Sequence, residues 1–125
     1  MIFNWIFLIL MDDETMNKFE DAIFAFSTGE DVEAEQILTT LAKINRNSVE
    51  IYRALTEVSL SLKKISQAEE ACRHALAINP NDLTSVVSLA RVLVQKGDKD
   101  GAEDASAKAR LLGWKEELAE DEPSL

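Results

Sequence analysis

From residue 12 to residue 119 the apolar residues recur every three or four positions, the spacing that places side chains on one face of an α-helix. The first such segment carries them at i, i+3, i+4 and i+7, as Phe19, Ala22, Ile23 and Phe26. Carboxylates at positions 12–14 can accept hydrogen bonds from the free N–H groups of its first turn, and a Thr-Gly pair at 28–29 ends it. The pattern predicts an all-α chain.

Turn and capping residues divide the chain into seven predicted helices. They are predicted near residues 12–28, 31–44, 48–62, 66–78, 82–97, 99–112 and 114–119. The fourth helix is expected to begin with a capping box, in which the side chains of Ser66 and Glu69 each satisfy a free backbone donor. Asn81 or Asp82 can cap the fifth, and Gly113 is predicted to end the sixth.

The same features return every 34 residues along the chain. Alanines stand at positions 34, 68 and 102, and positions 29, 63 and 97 hold Gly, Lys and Gly. A repeat of this length is typical of stacked helix pairs, because one pair cannot bury its apolar face alone. We therefore predict one domain, residues 12–116, built from units 15–48, 49–82 and 83–116. An apolar segment, residues 1–11, precedes it, and an acidic tail, residues 117–125, follows.

Three helix pairs with this period resemble the tetratricopeptide repeat. The middle unit matches the motif best, through Tyr52, Leu55, Thr56, Ser59, Ala68, Cys72, Ala75 and Pro80. The third unit follows with Val86, Leu89, Ala90, Leu93, Ala102, Ser106 and Ala109, and the first with Lys18, Asp21, Ala22, Ala25, Ala34, Leu38 and Leu41. The outer units depart from the motif at Asp21, where a Leu is expected, and at Arg46 and Trp114, where the terminal Pro is expected.

This resemblance implies an α–α superhelix, a short right-handed solenoid of three helix pairs with a short C-terminal helix after them. It also implies a concave groove, lined by the first helix of each pair, that binds a partner's helix or extended peptide. Carried over position by position, the partner-binding groove consists of Phe19, Ile23, Phe26, Arg53, Glu57, Leu60, Val87, Arg91 and Val94.

Two features of this groove leave alternatives open. Arg53 and Arg91 either pair with Glu50 and Glu57 on the same surface or bind an acidic group of a ligand. The apolar residues at positions 19, 23 and 26 have a spacing that is equally typical of core, and a one-residue slip of the first helix would turn them inward. The Lys and Asn set with which some members of the family bind a C-terminal carboxylate is missing, so that binding mode is not expected.

Composition narrows the classes of function. The 125 residues carry a formal net charge of −10, which repels the phosphates of nucleic acids and the surface of anionic lipids. The single cysteine, Cys72, falls on a core position of the repeat, and His74 lies two residues further, on a different face of the helix. No metal-ligand, nucleophile or phosphate-binding motif occurs. We therefore expect no enzymatic activity, no cofactor, no metal site and no nucleic-acid partner.

Residues 1–11, MIFNWIFLILM, form the most apolar stretch of the chain. As a helix they would extend about 16 Å, half of a bilayer core, and they lack a basic n-region, so neither a membrane span nor a signal peptide is expected. Four interpretations stay open: an interfacial membrane anchor, a helix docked to a partner or between protomers, a segment folded back over the groove, or a misplaced start. The docking residues would be Ile2, Phe3, Trp5, Ile6, Phe7, Ile9 and Leu10.

These features favour a cytoplasmic, non-catalytic protein–protein interaction module, such as an adaptor, an assembly factor or a small subunit of a larger complex. One alternative is a membrane-peripheral scaffold whose apolar N-terminus docks to an integral membrane complex. Another is a secretion-type chaperone that holds an apolar segment of its client. A homodimer through either end of the stack is compatible with the sequence.

Overall fold

The fold consists of helices joined by tight turns. A computed structural model describes residues 12–121, and among them there is no strand. The helices are α1 (Asp13–Ser27), α2 (Asp31–Ile44), α3 (Val49–Ser61), α4 (Ile65–Ile78), α5 (Leu83–Lys96) and α6 (Lys99–Asp121). The predicted all-α fold class is confirmed.

Small residues buried at the helix contacts hold the stack together. Each helix packs against the next in the chain, and α3 also contacts both α1 and α5. Ala34 and Ala68 are fully buried and Ala102 nearly so, while Leu38, Ile51 and other large side chains fill the space between the helices. The first helices of the three pairs therefore lie side by side, as the 34-residue repeat predicts.

The turn between the two helices of each pair has the same geometry three times. Gly29, Lys63 and Gly97 have φ values of 86°, 62° and 90°, in the left-handed region. After each, a backbone N–H closes the helix end with a hydrogen bond to the carbonyl oxygen five residues earlier, at 2.8 Å, 2.9 Å and 2.9 Å for residues 30, 64 and 98. Lys63 is the one residue other than glycine among those described that adopts positive φ.

The predicted capping box of the fourth helix does not form. α4 begins at Ile65, directly after this turn, so Ser66 already lies within its first turn and Lys64 is the N-cap without a side-chain hydrogen bond. Glu69 instead accepts hydrogen bonds from Arg73 and Lys96, both at 2.9 Å. The tight turn sets the start of the helix and overrides the local capping signal.

The predicted end of the sixth helix at Gly113 was wrong. α6 continues through this glycine to Asp121, so residues 114–119 are part of it rather than a separate seventh helix. Gly113 does not have positive φ, and the residues that follow it are good helix formers. A glycine inside a helix costs only about 1 kcal/mol, which is too little to end a helix whose flanking residues favour it.

The apolar segment, residues 1–11, and the last four residues lie outside the described residues. The predicted docking residues, Ile2, Phe3, Trp5, Ile6, Phe7, Ile9 and Leu10, fall within that segment. Of the helices formed by residues 12–121, none combines the length and the apolar character that crossing a membrane requires.

The left-handed conformation of Lys63 predicts a stabilising substitution. Lys63→Gly removes the steric cost of positive φ. This gain is larger than the stability lost because glycine gives the unfolded chain more conformational freedom, so the free energy of unfolding should rise by about 0.5–1 kcal/mol. Gly97→Ala is the matched control. Nothing lies within 4 Å of a Cβ added at this position. The expected decrease of about 1 kcal/mol in the free energy of unfolding therefore reports backbone strain alone. Urea unfolding of both variants measures the two shifts, and a destabilised Lys63→Gly protein contradicts the argument.

Candidate functional site

The period of 34 residues arranges the predicted groove residues in three rows across α1, α3 and α5. We call this surface the α1/α3/α5 face. Its rows are Phe19–Arg53–Val87, Ile23–Glu57–Arg91 and Phe26–Leu60–Val94. Two residues of the middle row are in contact, because the Arg91 Nη1 atom lies 3.0 Å and 3.2 Å from the two carboxylate oxygens of Glu57.

The apolar residues of this face differ in how far they reach the surface. Ile23 is 40% exposed, Val87 43% and Val94 66%. Phe19 and Phe26 are half-buried and pack against the core of the first helix pair, so the core interpretation of these two rings holds in part. A ligand can therefore contact aliphatic side chains on α1 and α5 and the outer parts of two rings on α1.

Leu60 was wrongly predicted to line the groove. It is only 5% exposed and packs with Ala68 of α4 and Val92 of α5. At the end of α3, close to the turn that begins α4, the helices approach closely and enclose this side chain. Leu60 therefore belongs to the core between the second and third helix pairs.

The centre of the face is polar. Glu57 accepts hydrogen bonds from Arg91 and from the Ser88 hydroxyl, the latter at 3.0 Å. The Arg91 side chain is half exposed and that of Glu57 about one third exposed, so this pair adds little to stability. It is the pairing expected between charges on the same surface, and it engages only the Nη1 atom of Arg91.

Arg53 pairs with Asp82, for which the sequence predicted only a capping role, and not with Glu50 or Glu57. Its guanidinium donates hydrogen bonds to Asp82, one of them from Nε at 2.8 Å. Asp82 is also the N-cap of α5 and accepts from the backbone N–H of Ser85 at 3.1 Å. Burial alone would raise the pKa of Asp82, but the hydrogen bonds from Arg53 and Ser85 outweigh it and hold the pKa below the ordinary value.

A second groove, on the other side of α3, was not predicted. It has a volume of about 550 Å³, lies between α2 and α4, and has Tyr52, Leu55 and Ser59 of α3 in its lining. The rings of Tyr52 and His74 stack there with centroids 5.1 Å apart. Its lining comes from three helices and is mixed in polarity, so no single periodic stripe in the sequence could have indicated it.

The side chains that could carry chemistry are engaged in packing. Cys72 is buried, its thiol donates to the Ser85 carbonyl oxygen at 3.0 Å, and burial raises the pKa of the thiol to about 12. Within residues 12–121, no three histidine, cysteine or carboxylate side chains come together as a metal site would require.

Comparison with known proteins identifies the fold but not a family. No sequence model of a protein family matches the chain, and no curated protein matches it either. Among solved structures, a type III secretion system complex from Aeromonas hydrophila matches with a TM-score of 0.80 and 22% identity, over 88% of this chain and 74% of that one.

Two chaperones with bound peptides have similar folds. PcrH, a Pseudomonas aeruginosa protein, in complex with the chaperone-binding region of PopB, matches with a TM-score of 0.78 and 22% identity over 82% of both chains. SycD, a type III secretion chaperone of Yersinia enterocolitica, in complex with a peptide of the translocator YopD, matches with a TM-score of 0.78 and 16% identity, over 82% of this chain and 78% of that one. At these identities the likeness establishes the helical-repeat fold alone.

The pairing of Arg53 with the buried carboxylate of Asp82 predicts a pH-dependent loss of stability. Asp82→Asn keeps an N-cap but leaves Arg53 without its charged partner, so the free energy of unfolding at pH 7 should fall by about 2 kcal/mol. The pKa of Asp82 is lower in the folded protein than in the unfolded chain. The carboxylate therefore stabilises the fold fully above its pKa in the unfolded chain, and this stabilisation is lost as the pH falls through its pKa in the folded protein. The difference between the two proteins should therefore shrink below about pH 4.

Urea unfolding from pH 7 to pH 3 measures this difference. Asp12→Asn is the control for an N-cap carboxylate at the surface. Asp12 caps α1 through a hydrogen bond from the Thr15 N–H at 2.7 Å, and hydrogen bonds from Thr15 also lower its pKa, so this variant should show a smaller loss of stability that also shrinks at low pH. A constant difference between the Asp82→Asn protein and the unsubstituted chain at every pH would show that the charge of Asp82 contributes nothing.

The environment of Cys72 predicts a thiol that does not react in the folded protein. With a pKa of about 12 and almost no exposed surface, it should resist a disulfide reagent at pH 8 and react rapidly in concentrated guanidinium chloride. Since Cys72 is the only cysteine, the released chromophore reports this site alone. Complete labelling of the native protein within minutes would contradict the described packing.

Proposed function

We propose that this chain is a non-catalytic protein-binding module of the chaperone type, which holds an apolar helix or extended peptide of a client on the α1/α3/α5 face. The observation that carries the proposal is the exposure of Ile23 on α1 and of Val87 and Val94 on α5, the two helices that flank α3 on this face. Exposed apolar side chains that lie together on one face, here with the outer parts of the Phe19 and Phe26 rings, are typical of surfaces that bind a partner.

The division of the face into apolar and charged parts suggests how a client would be oriented. Aliphatic and aromatic side chains of α1 offer contacts to apolar client residues at one end. The Glu57–Arg91 pair at the centre offers both a donor and an acceptor for the client's backbone or side chains. The apolar end on α1 and the charged centre can thus recognise different parts of one peptide.

The known folds support the chaperone alternative among the interaction functions. PcrH and SycD, whose folds this chain shares, are described with a chaperone-binding region of PopB and a peptide of YopD, respectively. By analogy with them, a short stack of three helix pairs is sufficient to hold a peptide. The charge of −10 favours a client whose apolar segment is flanked by Lys and Arg.

The apolar segment, residues 1–11, is proposed as a second contact with the client or its complex. Its apolar composition is suited to packing on an apolar surface of a partner. The membrane-peripheral scaffold remains the alternative role of this segment, and membrane pelleting that requires residues 1–10 would distinguish it.

Substitutions on the exposed part of the face test the proposal. A photoreactive residue at position 91 of the full chain is used to capture and identify a client from the native lysate. Ile23→Glu and Val87→Glu should each weaken binding of the purified client at least tenfold, because a carboxylate would be desolvated in the contact. Both positions are at the surface, so thermal unfolding should stay within a few degrees of the unsubstituted chain.

Val32→Glu is the matched control. Val32 is 58% exposed but lies on α2, outside the face, so this variant should bind the client with unchanged affinity. Equal affinities for all three variants would overturn the proposed site. The same titration with a chain that begins at Met11 shows whether residues 1–10 contribute, since a large loss there would identify the segment as a docking element.

A further inference from the structure

The last helix extends beyond the helix on which it packs. α6 has 23 residues and α5 has 14, a difference in length of about 13 Å. On this C-terminal part, Leu111, Trp114 and Leu118 are spaced at i, i+3 and i+7 and therefore share one face of the helix. They are 47%, 60% and 49% exposed. We call these three residues the α6 stripe.

The α6 stripe points away from the body of the protein. α6 packs inward through Ala102 and Ala105, which are buried. At 3.6 residues per turn, the inward face is about 180° around the helix from the stripe. Among residues 12–121 the three side chains of the stripe are therefore left open to solvent.

The charged residues beside the stripe would attract those of a second copy if the two α6 helices were antiparallel. Arg110 and Glu117 lie along the same edge of the stripe, both exposed. They are seven residues apart, about 10.5 Å along the axis, which is too far to pair within one helix. If a second α6 lies antiparallel across the stripe, Arg110 of each helix faces Glu117 of the other, and the contact contains two symmetric ion pairs.

The other edge weakly opposes this arrangement, because Lys115 lies within two residues of the two-fold axis and therefore close to Lys115 of the second copy. It carries Lys108 and Lys115. The Lys108 ammonium donates to the Pro80 carbonyl oxygen at 2.6 Å, which directs it toward its own protein body. The attraction therefore comes from one edge and from the apolar stripe between the edges.

We propose that the α6 stripe is a contact between two copies of this chain. The two α6 helices pack antiparallel about a two-fold axis near Trp114, with the apolar stripes in contact and the Arg110–Glu117 pairs at one edge. Such an isologous contact needs one surface that complements itself, which the stripe and its charges provide. This proposal does not depend on the proposed function, because the α1/α3/α5 face is formed by other helices.

The size of the contact sets its expected strength. Three apolar side chains from each copy and two ion pairs in all bury less surface than the lower limit of about 1,200 Å² for stable complexes. We therefore expect a reversible dimer with a dissociation constant on the order of micromolar rather than an obligate one.

Charge reversal with rescue tests this arrangement on the full chain. Sedimentation equilibrium over a hundredfold range of concentration should show the dimer of the unsubstituted chain. Arg110→Glu alone and Glu117→Arg alone should each weaken it about tenfold or more, because each replaces two attractive pairs by two repulsive ones. The double variant, and an equimolar mixture of the two single variants, should regain the original affinity.

Trp114→Glu provides an independent test of the stripe and should leave the chain monomeric at all accessible concentrations. All substituted positions are exposed, so circular dichroism and thermal unfolding should show an intact fold. A chain that is monomeric throughout would overturn the proposal. So would a dimer that persists in both Trp114→Glu and Arg110→Glu, since it would form through another surface, such as residues 1–11.

Discussion

Close approach of helices at small buried residues is the constraint on which the rest of this structure depends. At Ala34, Ala68 and Ala102 the side chain is a single methyl group with almost no exposed surface. A larger residue at any of these positions would separate two helices and remove dispersion contacts from everything packed around them. Because the three alanines are 34 residues apart, the separations between successive helix pairs are matched, and equivalent residues of successive pairs become neighbours.

The α1/α3/α5 face is a direct result of this matching. Glu57 and Arg91 have no local relationship in the chain, yet the repeat brings their charged groups to 3.0 Å. The same register places Ile23 beside them at the surface and encloses Leu60 near the turn before α4. The chemical character of the face therefore depends on where each residue lies along its helix as well as on its position in the repeat.

The turns between helices carry a second, local constraint. Three turns close with the same backbone hydrogen bond, and each requires a residue in the left-handed region. Gly29 and Gly97 meet this requirement without strain, whereas Lys63 meets it because packing of α3 against α4 fixes the ends of the turn. Tertiary packing can thus impose a backbone conformation that the residue itself disfavours.

The sequence by itself determined the helical fold and its period, because apolar spacing, alanine positions and turn glycines are local signals that agree with one another. It also identified most of the residues on the α1/α3/α5 face, since the repeat converts sequence distance into spatial neighbourhood. Only the tertiary structure decided that Arg53 pairs with Asp82, that Leu60 is buried, and that α6 continues through Gly113 to expose the α6 stripe. These outcomes depend on which side chains from different helices come into contact and on the free energy of each contact. The spacing of residues along one helix specifies neither of these.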